Sequence, residues 1–176
     1  MIFSLFKYEM EYSMNDEVVV RGTDESDWED LKEIRLASLL DSPTAFGVTH
    51  AAAMTNTDWQ WRDRAANRGP GRFTLAFKNG VAIGIVGRVM SSPSESNLIA
   101  MWVRPTERGT PIAARLVDAI KTEAISKRYS RVVLEVAPAN SRAVAFYQRQ
   151  GFKFLPEWEA LASHPHIELQ KMEWLT

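Results

Sequence analysis

The chain has 176 residues, 45% hydrophobic and 24% charged, a mixture that suits one globular domain with a single core rather than a disordered chain. Its formal net charge of −1 gives no overall positive field, so neither nucleic acid nor a membrane surface is an expected partner. It has no cysteine, which excludes disulfides, thiolate metal sites and a cysteine nucleophile.

The chain opens MIFSLFKYEMEYSM, where Lys7, Glu9 and Glu11 break the apolar run too early for a secretory signal. Residues 1–14 are read as an extension and 15–176 as the single domain. No stretch approaches the ~20 apolar residues of a membrane span, and a cytoplasmic location is expected. Val18–Arg21 reads as a strand. Capping residues at 23–27 introduce a helix over 27–40, carried by Trp28, Leu31, Ile34, Arg35 and Leu39 and stopped at Asp41-Ser42-Pro43. A second helix is expected over 57–67. Phe73–Phe77 and Val81–Val89 flank Lys78-Asn79-Gly80, a strong hairpin signal because both turn residues tolerate positive φ. Ser91–Ser96 reads as a polar loop and Asn97–Val103 as a strand.

The best helix spans 111–128, with Ile112, Leu116, Ile120 and Ala124 four apart. Arg131–Val136 follows as a strand. A short helix over Ser141–Gln150 is stopped by Gly151, and Phe152–Leu155 and Ile167–Trp174 close the chain as strands. The order β-α-α-β-β-β-α-β-α-β-β implies an α/β (α+β) fold on a mixed sheet. Strands 97–103 and 131–136 frame a βαβ unit and should be parallel. His164 and His166 flank Pro165 without a third ligand at suitable spacing, so no metal site is expected.

The chemistry concentrates in Val103-Arg104-Pro105-Thr106-Glu107-Arg108-Gly109-Thr110-Pro111-Ile112-Ala113. A strand end, a glycine turn and a helix start aim free backbone N–H groups and a helix dipole at one point, which suits a phosphate. Downstream stand Asn140, Phe146-Tyr147 and Gly151-Phe152. Together and in this order these residues resemble the GNAT acyltransferases. Their pyrophosphate turn reads Arg/Gln-x-x-Gly-x-Gly/Ala, and their later helix ends in Tyr-x-x-x-Gly-Phe. Ser42-Pro43-Thr44-Ala45-Phe46-Gly47 is similar to the first inter-helix loop of a bacterial branch of the family. The resemblance spans about residues 18–175.

The resemblance implies a fold in which the two parallel strands splay and the pantetheine arm of acetyl-CoA fills the gap. It implies cofactor contacts from Met101, Trp102, Val103, Arg108, Gly109, Thr110, Pro111, Ile112, Ala113 and Asn140, with a backbone N–H near Met101 or Trp102 facing the thioester carbonyl. Tyr147 would be the general acid. Glu135, in its Leu-Glu-Val setting, is the candidate base, with Glu95 as second choice. The acceptor would be a small-molecule or peptide amine. Dimerisation, common in the family, makes a homodimer an expectation. The departure is Pro111, which stands where the family has glycine and removes one phosphate donor. That departure motivates a rival reading, a non-catalytic CoA-binding or protein-interaction module.

Overall fold

The computed structural model describes residues 17–176, so the expected extension over 1–14 lies outside the described residues. Those residues form one mixed sheet of seven strands in the order β1-β2-β3-β4-β5-β7-β6. The strands are β1 (Val18–Gly22), β2 (Gly71–Lys78), β3 (Val81–Ser92), β4 (Glu95–Val103), β5 (Arg131–Val136), β6 (Lys153–Leu161) and β7 (His164–Leu175). The helices are α1 (Trp28–Asp41), α2 (His50–Met54), α3 (Asp58–Ala65), α4 (Ile112–Ser126) and α5 (Ser141–Arg149). The order expected from the sequence holds, with the short α2 as an addition. Thr49 caps α2, accepting from the Ala52 amide at 3.1 Å, yet the helix has too few residues to show a period.

The β2–β3 hairpin turns on Asn79 (φ 52°) and Gly80 (φ 78°), the double positive φ that an Asn-Gly turn calls for. Ser91–Ser96 is corrected. Ser92 pairs with Glu95, so a two-residue turn replaces the expected loop and both strands run on into it. The polar side chains misled because they serve one another: Ser91 Oγ donates to Glu95 Oε1 at 2.7 Å, and Arg131 Nε donates to Glu95 Oε2 at 2.6 Å. Strand β6 likewise passes beyond Leu155. Pro156 is accommodated where the pairing shifts register between Phe154 and Trp158, on the outermost strand of the sheet. The Gln170 amide donates to the Leu155 carbonyl at 2.8 Å across that irregularity.

The core has two parts. One joins α4 residues Ile112, Leu116, Val117 and Ile120 to Val86, Leu98, Val132, Leu134, Val136, Tyr147 and Phe152. The other joins α1 and α3 to Phe46, Leu75, Ile85 and Trp102. Successive strand residues face opposite ways. On β5, therefore, Leu134 and Val136 face α4 while Glu135 faces the other side. Arg88 is buried beneath α4 and makes a two-point ion pair with Glu123 on that helix.

Helix α4 lies close on the sheet because Gly84 has no side chain. A Cβ there would stand 2.9 Å from Leu116 Cδ1 and 3.3 Å from Ile112 Cγ2. Gly84→Ala is accordingly expected to lower stability by about 1–3 kcal/mol, the usual cost of overpacking. Urea denaturation would show this as a lower midpoint with unchanged slope; an unchanged midpoint would mean that α4 shifts freely on β3.

Candidate active site

Strands β4 and β5 pair in parallel only through Glu95–Arg131, Ser96–Val132 and Asn97–Val133. Beyond those pairs they part, although β4 continues to Val103 and β5 to Val136. The parting has an origin in the chain. Ile85 pairs with Trp102 and Gly87 with Ile99, so Ala100 and Met101 together oppose the single residue Val86. This is a β-bulge, and Ala100 sits in it at φ 55°, a conformation that non-glycine residues rarely adopt. A bulge bends its strand and takes backbone groups out of the ladder. Nothing in the hydrophobic alternation of 97–103 announced it.

A cleft of about 840 Å³ opens at the split. It is walled by β4 from Leu98 to Met101, β5 from Leu134 to Val136 with Ala137 just beyond, Asn140 and Tyr147 of the capped α5, and the 44–48 loop. Arg35 of α1 and the β6–β7 hairpin complete it. Of the residues singled out in the sequence, Met101, Glu135, Asn140 and Tyr147 line this cleft. Trp102 does not. Its indole N–H donates to Asp41 Oδ2 at 2.8 Å and its ring is buried in the α1 side of the core. Val103 is buried with the α4 side, and its carbonyl accepts from Arg108 Nε at 3.1 Å.

Arg108 through Pro111 form the approach to α4, and Ile112 and Ala113 open its first turn. Arg108 makes an ion pair with Asp41, and its guanidinium lies 5.9 Å from the Trp102 ring centroid. The Trp102 indole, with help from Arg108, holds the Asp41 carboxyl below the usual carboxylate range. Gly109 turns the chain at φ 83° with open space where a side chain would be. Thr110 Oγ1 donates to the Glu107 carbonyl at 2.7 Å and reaches the Ile112 amide only at 3.5 Å. Pro111 occupies the N-cap position with φ −67° and ψ −5°, and its carbonyl accepts the Arg115 amide at 3.0 Å. The helix therefore forms as expected. Its first-turn amides have no partner within the helix, which suits an anion. Proline subtracts one donor from the set.

Tyr147 is buried and stacks edge-on against Phe152, centroids 5.8 Å apart. Burial pushes its phenol well above the ordinary range, so it stays protonated at any physiological pH. Glu135 comes from the other face. Burial raises its carboxyl, the Asn97 amide opposes this by donating to Oε2 at 3.2 Å, and the charge of Glu159 raises it further. A carboxyl moved up toward neutrality is the property a base for an ammonium group needs. Glu95 is different. Burial works against its charge, but Ser91 and Arg131 outweigh that and hold it below the usual range. Locked at the closed end of the split, Glu95 is removed from the candidate bases. Asn140 accepts the Ala143 amide at 3.1 Å and so caps α5 while also facing the cleft.

The sequence pattern of the Acetyltransferase (GNAT) family matches residues 28–152. The chain belongs to the GNAT acetyltransferase family. Among solved structures, a GNAT-family acetyltransferase from Streptococcus pneumoniae matches this GNAT fold with TM-score 0.78 at 18% identity, over 91% of this chain and 100% of that one. The PaiA N-acetyltransferase from Thermoplasma acidophilum, solved in complex with coenzyme A, matches with TM-score 0.67 at 17% identity, over 91% and 99%. A curated relative, the "IAA acetyltransferase" of Azospirillum brasilense, is 30% identical over 82 residues. That match takes in 46% of this chain, which spans about half (54%) of that relative's length. Among the described residues no helix is long and apolar enough to cross a membrane. What the sequence missed in the site is Arg35, which reads as one residue of a helical face.

Because the folded state raises the Glu135 carboxyl, the ionised form is the one it disfavours. Any stabilising effect of Glu135 is therefore fully present below its unfolded pKa of ~4.3 and is lost as pH rises through the higher folded value. Glu135→Gln should accordingly gain stability relative to wild type as pH rises from about 4 and level off above the folded pKa. Urea midpoints across pH 4 to 8 test this; a difference that does not vary with pH would show that Glu135 is not desolvated.

Proposed function

We propose that the protein transfers the acetyl group of acetyl-CoA to an amine by direct attack. The observation that carries this is the split between β4 and β5, with Glu135 on one face, Tyr147 on the other and a helix N-terminus at its open end. The pantetheine arm would take the place of the missing strand partner, and the phosphates would lie toward Gly109 and the first turn of α4. The backbone freed by the bulge at Ala100–Met101 would offer N–H groups to the thioester carbonyl.

In the reaction the amine nitrogen bonds to the carbonyl carbon and the carbon–sulfur bond breaks. Glu135, directly or through water, would take the proton that the ammonium must lose. Tyr147 would supply the proton that the departing thiolate gains, and the second proton that the nitrogen sheds as the amide forms would pass through water to restore the phenol. A phenol held so firmly protonated acts first as a hydrogen-bond donor to the developing thiolate, with full transfer following as charge accumulates. The two proton carriers lie on opposite faces of the sheet, so acceptor and cofactor would approach the split from opposite sides.

The rival reading, a CoA-binding or protein-interaction module without catalysis, draws on Pro111 and on the engagement of Arg108 by Asp41. Calorimetry with acetyl-CoA separates the two at the first step. No heat at millimolar cofactor would sink the enzyme reading, and binding without CoA release across an amine panel would favour the module. For the enzyme, Tyr147→Phe should lower kcat about 100-fold or more, the usual scale of general acid catalysis, with acetyl-CoA affinity unchanged. Equal turnover removes Tyr147 from the mechanism. Pro111→Gly should tighten acetyl-CoA binding by roughly 10-fold through the restored donor; the same or weaker affinity in the titration would show that the missing N–H does not limit binding.

A further inference from the structure

Arg35 differs from the arginines of this protein that pair with a carboxylate. Arg21, Arg68, Arg88, Arg104, Arg108 and Arg131 each pair with a carboxylate. Arg35 has none. It leaves α1 to lie over the Phe46 ring, 4.5 Å from the centroid, and lines the large cleft. Its fork of N–H donors meets one protein acceptor, the Ser38 hydroxyl at 3.2 Å, and that hydroxyl donates onward to the Arg35 carbonyl at 2.7 Å. The nearby cation, Arg64, repels it and is itself bonded to Asn56 Oδ1 at 2.9 Å. Burial, then Arg64, draws Arg35 down to about 10, which still leaves it charged at neutral pH. A desolvated cation without a counter-charge is unfavourable unless something else supplies the charge.

The rest of the cleft defines what that is. Among the described residues lining it, Arg35 is the cation and Glu135 and Glu159 are the carboxylates. The two carboxylates lie close enough for Glu159 to raise Glu135. They stand on β5 and β6, whereas Arg35 stands on α1 beside the 44–48 loop, so the cleft has a positive and a negative end. A packing strut for Phe46 would need only the length of the side chain. An unpaired guanidinium facing a cavity adds a planar, charged fork, which matches a carboxylate.

We propose that the acceptor is a small amino acid-like molecule, its carboxylate held by Arg35 and its ammonium directed to Glu135 and Glu159. This rests on the acetyl-transfer reading for the reaction and on Arg35 alone for the specificity. The test uses the full chain as wild type, Arg35→Met and Arg35→Lys, with acetyl-CoA and a panel of α-, β- and γ-amino acids, each beside its carboxamide. In wild type at least one acid should exceed its amide by roughly 10- to 150-fold in kcat/KM, the span expected for one charge-assisted contact. That preference should vanish in Arg35→Met and survive in part in Arg35→Lys. Amides served as well as acids by wild type, or a preference that persists in Arg35→Met, would overturn the assignment.

A binding arm separates this from failure of the reaction itself. The N-acetylated acids of the panel, beside their N-acetylated amides, are tested as thermal stabilisers. Stabilisation by acids only, lost in Arg35→Met, supports the carboxylate site even where no CoA is released, and then the acetyl-transfer reading alone falls. No acid-specific stabilisation together with no CoA release overturns both. Methionine preserves an unbranched chain over Phe46 and removes a desolvated charge, so Arg35→Met should melt at or above wild type. A melt clearly below wild type marks Arg35 as a packing strut and overturns the proposal.

Discussion

Two parallel strands that pair for three residues and then part set the terms for everything else in this molecule. Backbone N–H and C=O groups inside a protein need partners, and a sheet normally supplies them without interruption. Here the closed end is clamped by Arg131, which binds Glu95 on β4 and Glu173 on β7. Beyond the clamp, β5 remains paired to β7 along its whole length, from Arg131–Leu175 to Val136–Gln170. Strand β4 remains bound to β3 but spends a residue in the bulge at Ala100. Neither strand can move to close the gap without breaking a ladder on its far side. The gap is thus fixed by pairing on both flanks, which is what a preformed site requires.

The split also divides the molecule electrically. On the α4 side the lining is apolar and the titratable group is a phenol kept neutral by burial. On the α1 side the lining carries Arg35, Glu135 and Glu159. A thioester and its pantetheine arm are uncharged, whereas an amine must arrive as an ion and shed a proton. The division matches those needs. It follows from strand alternation alone, since Glu135 differs in face from Leu134 and Val136 by one residue step.

Most of the framework was legible in the sequence because it depends on local signals. Asn79-Gly80, the four-residue repeat of α4 and the capping residues each specify their element without tertiary help. Tyr147 and Glu135 were found through their place in motifs, and the structure brings both to one cleft. Three features were hidden. The Ser91–Ser96 turn was masked by polar side chains whose partners, Arg131 above all, lie far along the chain. The bulge at Ala100 leaves no trace in composition, because no glycine or asparagine flags its positive φ. Arg35 was hidden by the opposite problem. It fits the helical face so well that its missing counter-charge becomes visible only once every neighbouring carboxylate is known to be engaged elsewhere or set across the cleft.

Pro111 and Arg108 acquire a common explanation from the geometry. A phosphate turn draws on N–H donors, side-chain cations and the helix dipole. Here proline removes one donor and Asp41 holds the cation. The dipole and the remaining first-turn amides are untouched, because proline at a helix start preserves the helix and fixes its entry. Asp41 also holds the Trp102 indole and closes α1, so Arg108 ties the turn to the element that bears Arg35. That ion pair ties the α4 turn to the α1 wall. An anion arriving at the turn would compete with Asp41 for Arg108.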